Sequence, residues 1–197
     1  MKRLAKKIIK KIKPQQQTKL NVGCGTDYKD GWVNIDNNSD NNIEKLDLSH
    51  DLRNPLPFND DTVDFIFNEH FVEHLTVEES KIAIKDMMRV LKPGGVLRIA
   101  MPDLELAVKA YLDPTMNSPE FLKKHGLDIV KTPAELLNMN FRWWGHKWLY
   151  DWTELDRRLR ELGYSTFTKC ERGKSKYGEL RGLETRPESL LVVEIKK

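Results

Sequence analysis

Residues 19–36, KLNVGCGTDYKDGWVNID, constrain this chain more than any other stretch. A short apolar run ends in Gly23-Cys24-Gly25, and a second, Val33-Asn34-Ile35, ends in Asp36. The order is strand, glycine turn, short connection, strand, acid. In an open parallel sheet that order builds a nucleotide crevice: glycines let a ligand approach the backbone, and a carboxylate accepts both hydroxyls of a ribose. Asp36 follows Gly25 by only eleven positions, where a dinucleotide fingerprint wants its acid about twenty on, and a third glycine is missing. The connection, residues 26–32, has room for a turn or two of helix at most. That is near the lower limit for a parallel crossover and argues against a pyrophosphate cradle at a helix N-terminus.

Downstream, strand and helix signals alternate. Residues 43–46 are a weak third strand running to Asp47-Leu48, and 63–67, VDFIF, reads as a strand buried on both faces. A helix is expected to start near Asn68-Glu69-His70. Residues 77–91 carry the helical period, Lys92-Pro93-Gly94-Gly95 stops it, and 96–101 is the next strand, closed by Pro102-Asp103. After a helix over 104–112, proline turns lead into an aromatic cluster in which Trp143, Trp144, Trp148 and Trp152 fall within ten residues. A helix over 153–162 and two strands, 165–170 and 189–195, complete the chain. The expected architecture is α/β: a doubly wound, mostly parallel sheet of strands and helices. Its domain spans 18–197, with 103–152 as an aromatic-rich insertion or lid, behind a tail and linker over 1–17.

Charge separates that tail from the rest. The formal net charge is +3 from 33 basic and 30 acidic residues, but residues 1–13 hold seven Lys/Arg and no acid. Setting those seven aside leaves 26 basic side chains against 30 acidic ones, so the overall charge gives no support to nucleic-acid affinity. On a helix, Leu4, Ile8 and Ile12 make a narrow apolar stripe beside a cationic face. One reading is peripheral contact with an anionic membrane or an acidic partner, and the other is a solvated, fraying helix. No apolar run is long enough to span a bilayer, and Cys24 and Cys170 fit no metal spacing. A cytoplasmic location, at most peripheral to the inner face of the membrane, is the expectation.

Four segments in this order, LNVGCGT (20–26), VNID (33–36), DFIFNEHFVEHL (64–75) and RVLKPGGVLRIAMPD (89–103), resemble the class I, Rossmann-like S-adenosylmethionine-dependent methyltransferases. The KPGG turn is similar to that of the small-molecule members called type 11. The resemblance implies a seven-stranded sheet with helices on both faces, a reversed C-terminal hairpin and S-adenosyl-L-methionine as cofactor. It also implies that Gly23, Cys24 and Gly25 contact the methionine part through backbone and that Asp36 takes the ribose hydroxyls. Asp47 and Leu48 would then border the adenine, and Asn68 and Glu69 would line the methionine side near the sulfonium.

The acceptor side is less marked. His70, His74 and His146 are candidate bases, since methylating a hydroxyl releases a proton and histidine titrates near neutral pH. Each of them also fits a structural role. If 68–75 is helical, Glu69/Glu73 and His70/His74 pair on shared faces. His-x-x-x-His without a further ligand motif predicts no metal. The tryptophans fit either a stacking surface for a sugar or planar acceptor or the packing of a lid. No Asn/Asp-Pro-Pro-Tyr/Phe motif follows the fourth strand, which favours a small-molecule or saccharide acceptor over nucleic acid. Transfer of a methyl group to such an acceptor by in-line displacement is the expected activity. A non-catalytic binding or scaffold protein of the same fold, and a nicotinamide-dependent oxidoreductase, are the alternatives.

Overall fold

The computed structural model describes residues 17–37, 45–124 and 127–197. The basic tail and most of the asparagine-rich loop lie outside the described residues. Seven strands form one sheet: β1 (Lys19–Val22), β2 (Val33–Asp36), β3 (Leu48–Ser49), β4 (Val63–Glu69), β5 (Leu91–Met101), β6 (Phe167–Cys170) and β7 (Leu191–Lys196). They lie in the order β3-β2-β1-β4-β5-β7-β6. Pairing is parallel from β3 through β5, and β7 runs antiparallel to both β5 and β6. The reversed C-terminal hairpin is therefore present. The strand order reverses at β1, between β2 and β4, which places the ligand crevice of an open sheet at the carboxyl ends of these strands.

Strand alternation sorts the core into two faces. Leu20, Val22, Val33, Ile35, Leu97, Ile99 and Met101 point to one face. They pack there with Ala83, Ile84, Met87 and Met88 of α1 (Val77–Val90) and Leu155 and Leu159 of α5 (Trp152–Glu161). Each Val, Leu, Ile or Met side chain among these, fully withdrawn from water, contributes roughly 1.5–3 kcal/mol. Thr76 caps α1 in a reciprocal box with Glu79, and Asp151 caps α5. The opposite face carries Phe67 and Val96 and is covered by Trp32 and Leu180, with Tyr177 and Leu183 packed against them. Among the described residues packed there, helix is limited to a 3-10 turn, Gly178–Leu180. The β1–β2 connection has no helix at all, only turns closed by Asp27 N–H to Cys24 O and Trp32 N–H to Lys29 O.

Three expectations shift. β5 begins at Leu91 and takes in Lys92–Gly95, where a turn ahead of a strand over 96–101 is expected, because Leu91 already pairs with Val63. The third strand is Leu48–Ser49, while Lys45 and Leu46 are not strand and residues 43 and 44 lie outside the described residues. No helix begins at 68–70: β4 runs through Glu69 because it stays paired with β5 as far as Ala100. Only a 3-10 turn, Val72–His74, precedes α1.

The insertion is a small helical unit: α2 (Leu104–Leu112), α3 (Pro119–Lys124) and α4 (Pro133–Arg142). Ala110, Leu122, Val130, Leu136 and Met139 form its own apolar cluster, separate from the main core. No helix among the described residues is long and apolar enough to cross a membrane.

Candidate functional site

The glycine turn is fastened to the end of β2. Gly23 and Cys24 N–H both donate to Ile35 O, and Gly25 N–H donates to Asp36 Oδ2 at 2.6 Å. Asp36 Oδ1 accepts the Asn37 N–H, also at 2.6 Å. The carboxylate thus shapes the loop and still has lone pairs left for a ligand. Gly23 is required on two counts: its φ is +72°, and a Cβ there would lie 2.7 Å from the Phe71 Cβ. Gly25, with φ +50°, has nothing within 4 Å of its missing Cβ, so its open side faces the crevice. Cys24 is buried, and burial foremost, with Asp36 next, pushes its thiol up to about 12. It is therefore an inert thiol, and of the turn only Gly23 and Gly25, not Cys24, line the main cavity at the strand ends.

At the end of β4 the side chains divide their tasks. Asn68 is fully buried and donates to Val22 O. The Glu69 carboxylate accepts from Thr185 N–H and Oγ1, Arg186 N–H and the Ser189 hydroxyl, the last at 2.5 Å. It is a clamp for the segment that precedes β7, and neither Asn68 nor Glu69 presents its side chain to the cavity. The i, i+4 pairing of Glu69 with Glu73 fails because 68–70 is not helical. His70 leaves the strand at φ +51°, and its Nδ1 stands 3.0 Å from Glu73 Oε1, close but not aligned as a hydrogen bond. Residues other than glycine in this region store strain that the surroundings must hold, and such residues cluster at functional sites. Trp144, with φ +58°, is another on the same cavity.

The insertion returns onto this point. Lys147 and Trp148 N–H both donate to Glu73 O, which seats His146 over the strand end. His146 Nδ1 contacts Asn140 O at 2.6 Å, and its ring meets that of His74 edge-on with centroids 4.9 Å apart. Burial lowers the His74 pKa below its ordinary value; Glu73 opposes that shift, while His146 and His70 add to it. Of the tryptophans, Trp143, Trp144 and Trp148 are exposed. Trp152 packs against Phe167 and the main core.

Between strand ends and insertion lies a cavity of about 640 Å³. Gly23, Gly25, Asp36, His70, His74 and His146 all reach it. Asp47 and Leu48 do not: the Asp47 carboxylate is taken by the backbone and side-chain amides of Asn34, and Leu48 is core. Asp51 and Leu52 instead border an adjoining cavity of about 230 Å³ that shares Asp36, Phe71 and His74 with the larger one. The sequence offers Asp51 as a nearby alternative to Asp47, but gives no comparable pointer to Leu52, nor to Arg186 and Glu188, which also line the main cavity. The only signal for the latter is the polar TRPES run just before the last strand.

A family of methyltransferase domains matches residues 20–99, the stretch that contains the glycine turn, Asp36 and the strand-end histidines. Over residues 20–99 this chain is similar to methyltransferase domains. Its fold is shared along nearly the whole chain with solved structures. An S-adenosylmethionine-dependent methyltransferase of Thermotoga maritima, described as a possible histamine N-methyltransferase, is 18% identical with a TM-score of 0.54. That alignment covers 97% of this chain and 86% of that one. One from Archaeoglobus fulgidus is 16% identical at a TM-score of 0.52, over 100% and 95% of the two chains. One from Methanosarcina mazei is 20% identical at 0.51, over 96% of each. At these identities the likeness is one of fold. An uncharacterized protein of Haemophilus influenzae is 41% identical over 54 residues, 27% of this chain and 22% of that protein. This chain thus matches about a fifth of that relative's length. The cofactor that the domain implies is S-adenosyl-L-methionine.

The residues present fit that cofactor. Gly25 leaves an open approach to the backbone, Asp36 keeps acceptor capacity for a diol, and the cavity is of the size that holds a cofactor with a small acceptor.

Proposed function

We propose that the chain transfers a methyl group from S-adenosyl-L-methionine to a small-molecule or saccharide acceptor. The observation that carries this reading is the convergence of the Gly23–Gly25 turn, Asp36 and three histidines on one cavity roofed by the insertion. Asp36 would hold the ribose hydroxyls, the glycine turn would hold the methionine part through its backbone, and Asp51 and Leu52 would border the adenine. The cofactor supplies an electrophilic methyl group with a neutral thioether as leaving group.

The chain's own share is positioning, exclusion of water and proton removal. His74 and His146 stand on the wall beyond the glycine turn, where an acceptor hydroxyl would release its proton to a neutral imidazole. Leu127, Met139 and Trp144 of the insertion roof that side and suit a compact acceptor with an apolar or ring face. The mildly acidic body speaks against nucleic acid as acceptor.

Isothermal titration with S-adenosylmethionine and with its demethylated product tests the reading directly. Both should bind the wild-type chain, and Asp36→Ala should remove binding of both. The variant should also lose about 1 kcal/mol of stability, because two backbone N–H groups lose their acceptor. If neither compound binds the wild-type chain, the enzyme reading falls. If Asp36→Ala binds them as tightly as wild type, the ribose assignment falls alone.

A further inference from the structure

The geometry points to a second occupant of this cavity wall: a divalent transition-metal ion held by His70, Glu73 and His146. One ligand atom from each of the three lies within 4.8 Å of the other two. Glu73 has no solvent exposure, and among the described residues neither of its carboxylate oxygens has a hydrogen-bond partner. A buried, uncompensated carboxylate costs several kcal/mol, so something positive belongs beside it.

The hydrogen bonds behind the two histidines decide what they offer. The Ser189 hydroxyl donates its proton to Glu69 Oε1, so at 3.1 Å from His70 Nε2 its oxygen accepts. His70 therefore carries its proton on Nε2 and turns the Nδ1 lone pair toward Glu73 Oε1, 3.0 Å away. A carbonyl only accepts, so His146 carries its proton on Nδ1, toward Asn140 O, and keeps its lone pair on Nε2. Two imidazole lone pairs and a carboxylate thus converge with no donor among them. Metal-bound histidines characteristically donate their other N–H to a carbonyl or to a carboxylate-linked group, as both do here.

Two nitrogens and one carboxylate oxygen suit zinc, iron(II) or cobalt(II), and not magnesium or calcium, which take oxygen ligands. Bonds of about 2.0–2.2 Å set tetrahedral ligand atoms roughly 3.5 Å apart, so a separation near the 4.8 Å limit would have to close by about 1 Å while the 3.0 Å His70–Glu73 pair opens slightly. An ion there would anchor an acceptor oxygen at the cavity wall, take the His146 Nε2 lone pair and leave His74 as the base; that use rests on the methyl-transfer reading, whereas the binding itself does not. The competing occupant is a proton on His70, which would make the pair a buried imidazolium–carboxylate contact.

Titration of the full chain with Co²⁺, followed by visible absorption, separates the two. One equivalent per chain should bind with the spectrum of nitrogen and oxygen coordination. Zn²⁺ should displace it and raise the melting temperature, and millimolar Mg²⁺ should do neither. His146→Ala and Glu73→Gln should each weaken binding by at least about tenfold, and Cys170→Ser should not change it. Absence of binding at micromolar free Co²⁺ and Zn²⁺, or unchanged affinity in both His146→Ala and Glu73→Gln, overturns the site. Failure of the chain to bind S-adenosylmethionine would leave these outcomes as they are, so the two readings fail separately.

Discussion

Asp36 and Asp103 both stand at strand ends on the crevice side of the sheet, yet only Asp36 reaches the cavity. Asp103 turns back into the fold as the N-cap of α2, accepting the Glu105 N–H at 3.0 Å, and it bridges to Tyr150. Its carboxyl is pushed above its ordinary value of 3.8, by burial first; the Glu105 N–H and Lys169, 3.9 Å away, oppose the shift. A carboxyl whose folded pKa is raised binds its proton more tightly in the folded chain than in the unfolded one. The stability linked to that proton is complete below about 3.8 and is lost as pH rises through the folded value. Asparagine caps a helix as well as aspartate does. Asp103→Asn should therefore gain on wild type as pH rises from below 3.8 toward neutrality. Denaturant midpoints of both proteins at acid and neutral pH measure this, and a difference that does not change with pH would show that burial of the charge is not felt.

At the scale of elements, the end of β4 joins the two halves of the domain. Glu69 lies 116 positions before Thr185, and its carboxylate gathers donors from Thr185, Arg186 and Ser189. Gln at this position keeps one acceptor and sets an amide donor against backbone N–H groups. Glu69→Gln should cost about 2 kcal/mol, in line with the loss of hydrogen bonds to a charged acceptor. It should also speed hydrogen exchange at the Thr185 and Arg186 amides more than at those of β5. Unchanged protection at those two amides would rule out the clamp. The same strand end shows where the sequence was legible and where it was not. Apolar runs, the glycine turn and proline or glycine stops are local signals; they mark β1, β2, β4 and α1 closely and the end of β5, but not its start at Leu91. Glu69 and Glu73 looked like partners because a helix was assumed for 68–75, but β-pairing with Ala100 and the positive φ of His70 put them in different places. The nearness of His70 and His146, and the capture of Asp47 by Asn34, depend on packing between distant segments. No spacing rule records these.

On the scale of the whole molecule, the two faces of the sheet are held by different means. One is an apolar core under α1 and α5. The other, among the described residues, carries little helix and encloses Arg98, whose side chain has no solvent exposure. Arg98 Nε donates to Glu184, Nη1 donates to Glu194 at 2.7 Å and to Lys174 O at 3.1 Å, and Glu184 also accepts the Gly173 N–H. The network ties β5 and β7 to the long connection over 171–190, which covers this face. Buried ion pairs gain little over well-packed apolar groups, but removal of one partner leaves charges stranded. Arg98→Met should therefore destabilise the chain by about 3–5 kcal/mol. Adding Glu184→Gln and Glu194→Gln to Arg98→Met should recover a large part of that loss, because no buried carboxylate is then left without its cation. Urea midpoints for the single and triple variants measure both steps. If the triple variant is less stable than Arg98→Met, the network holds that face by its hydrogen-bond geometry more than by its charge balance.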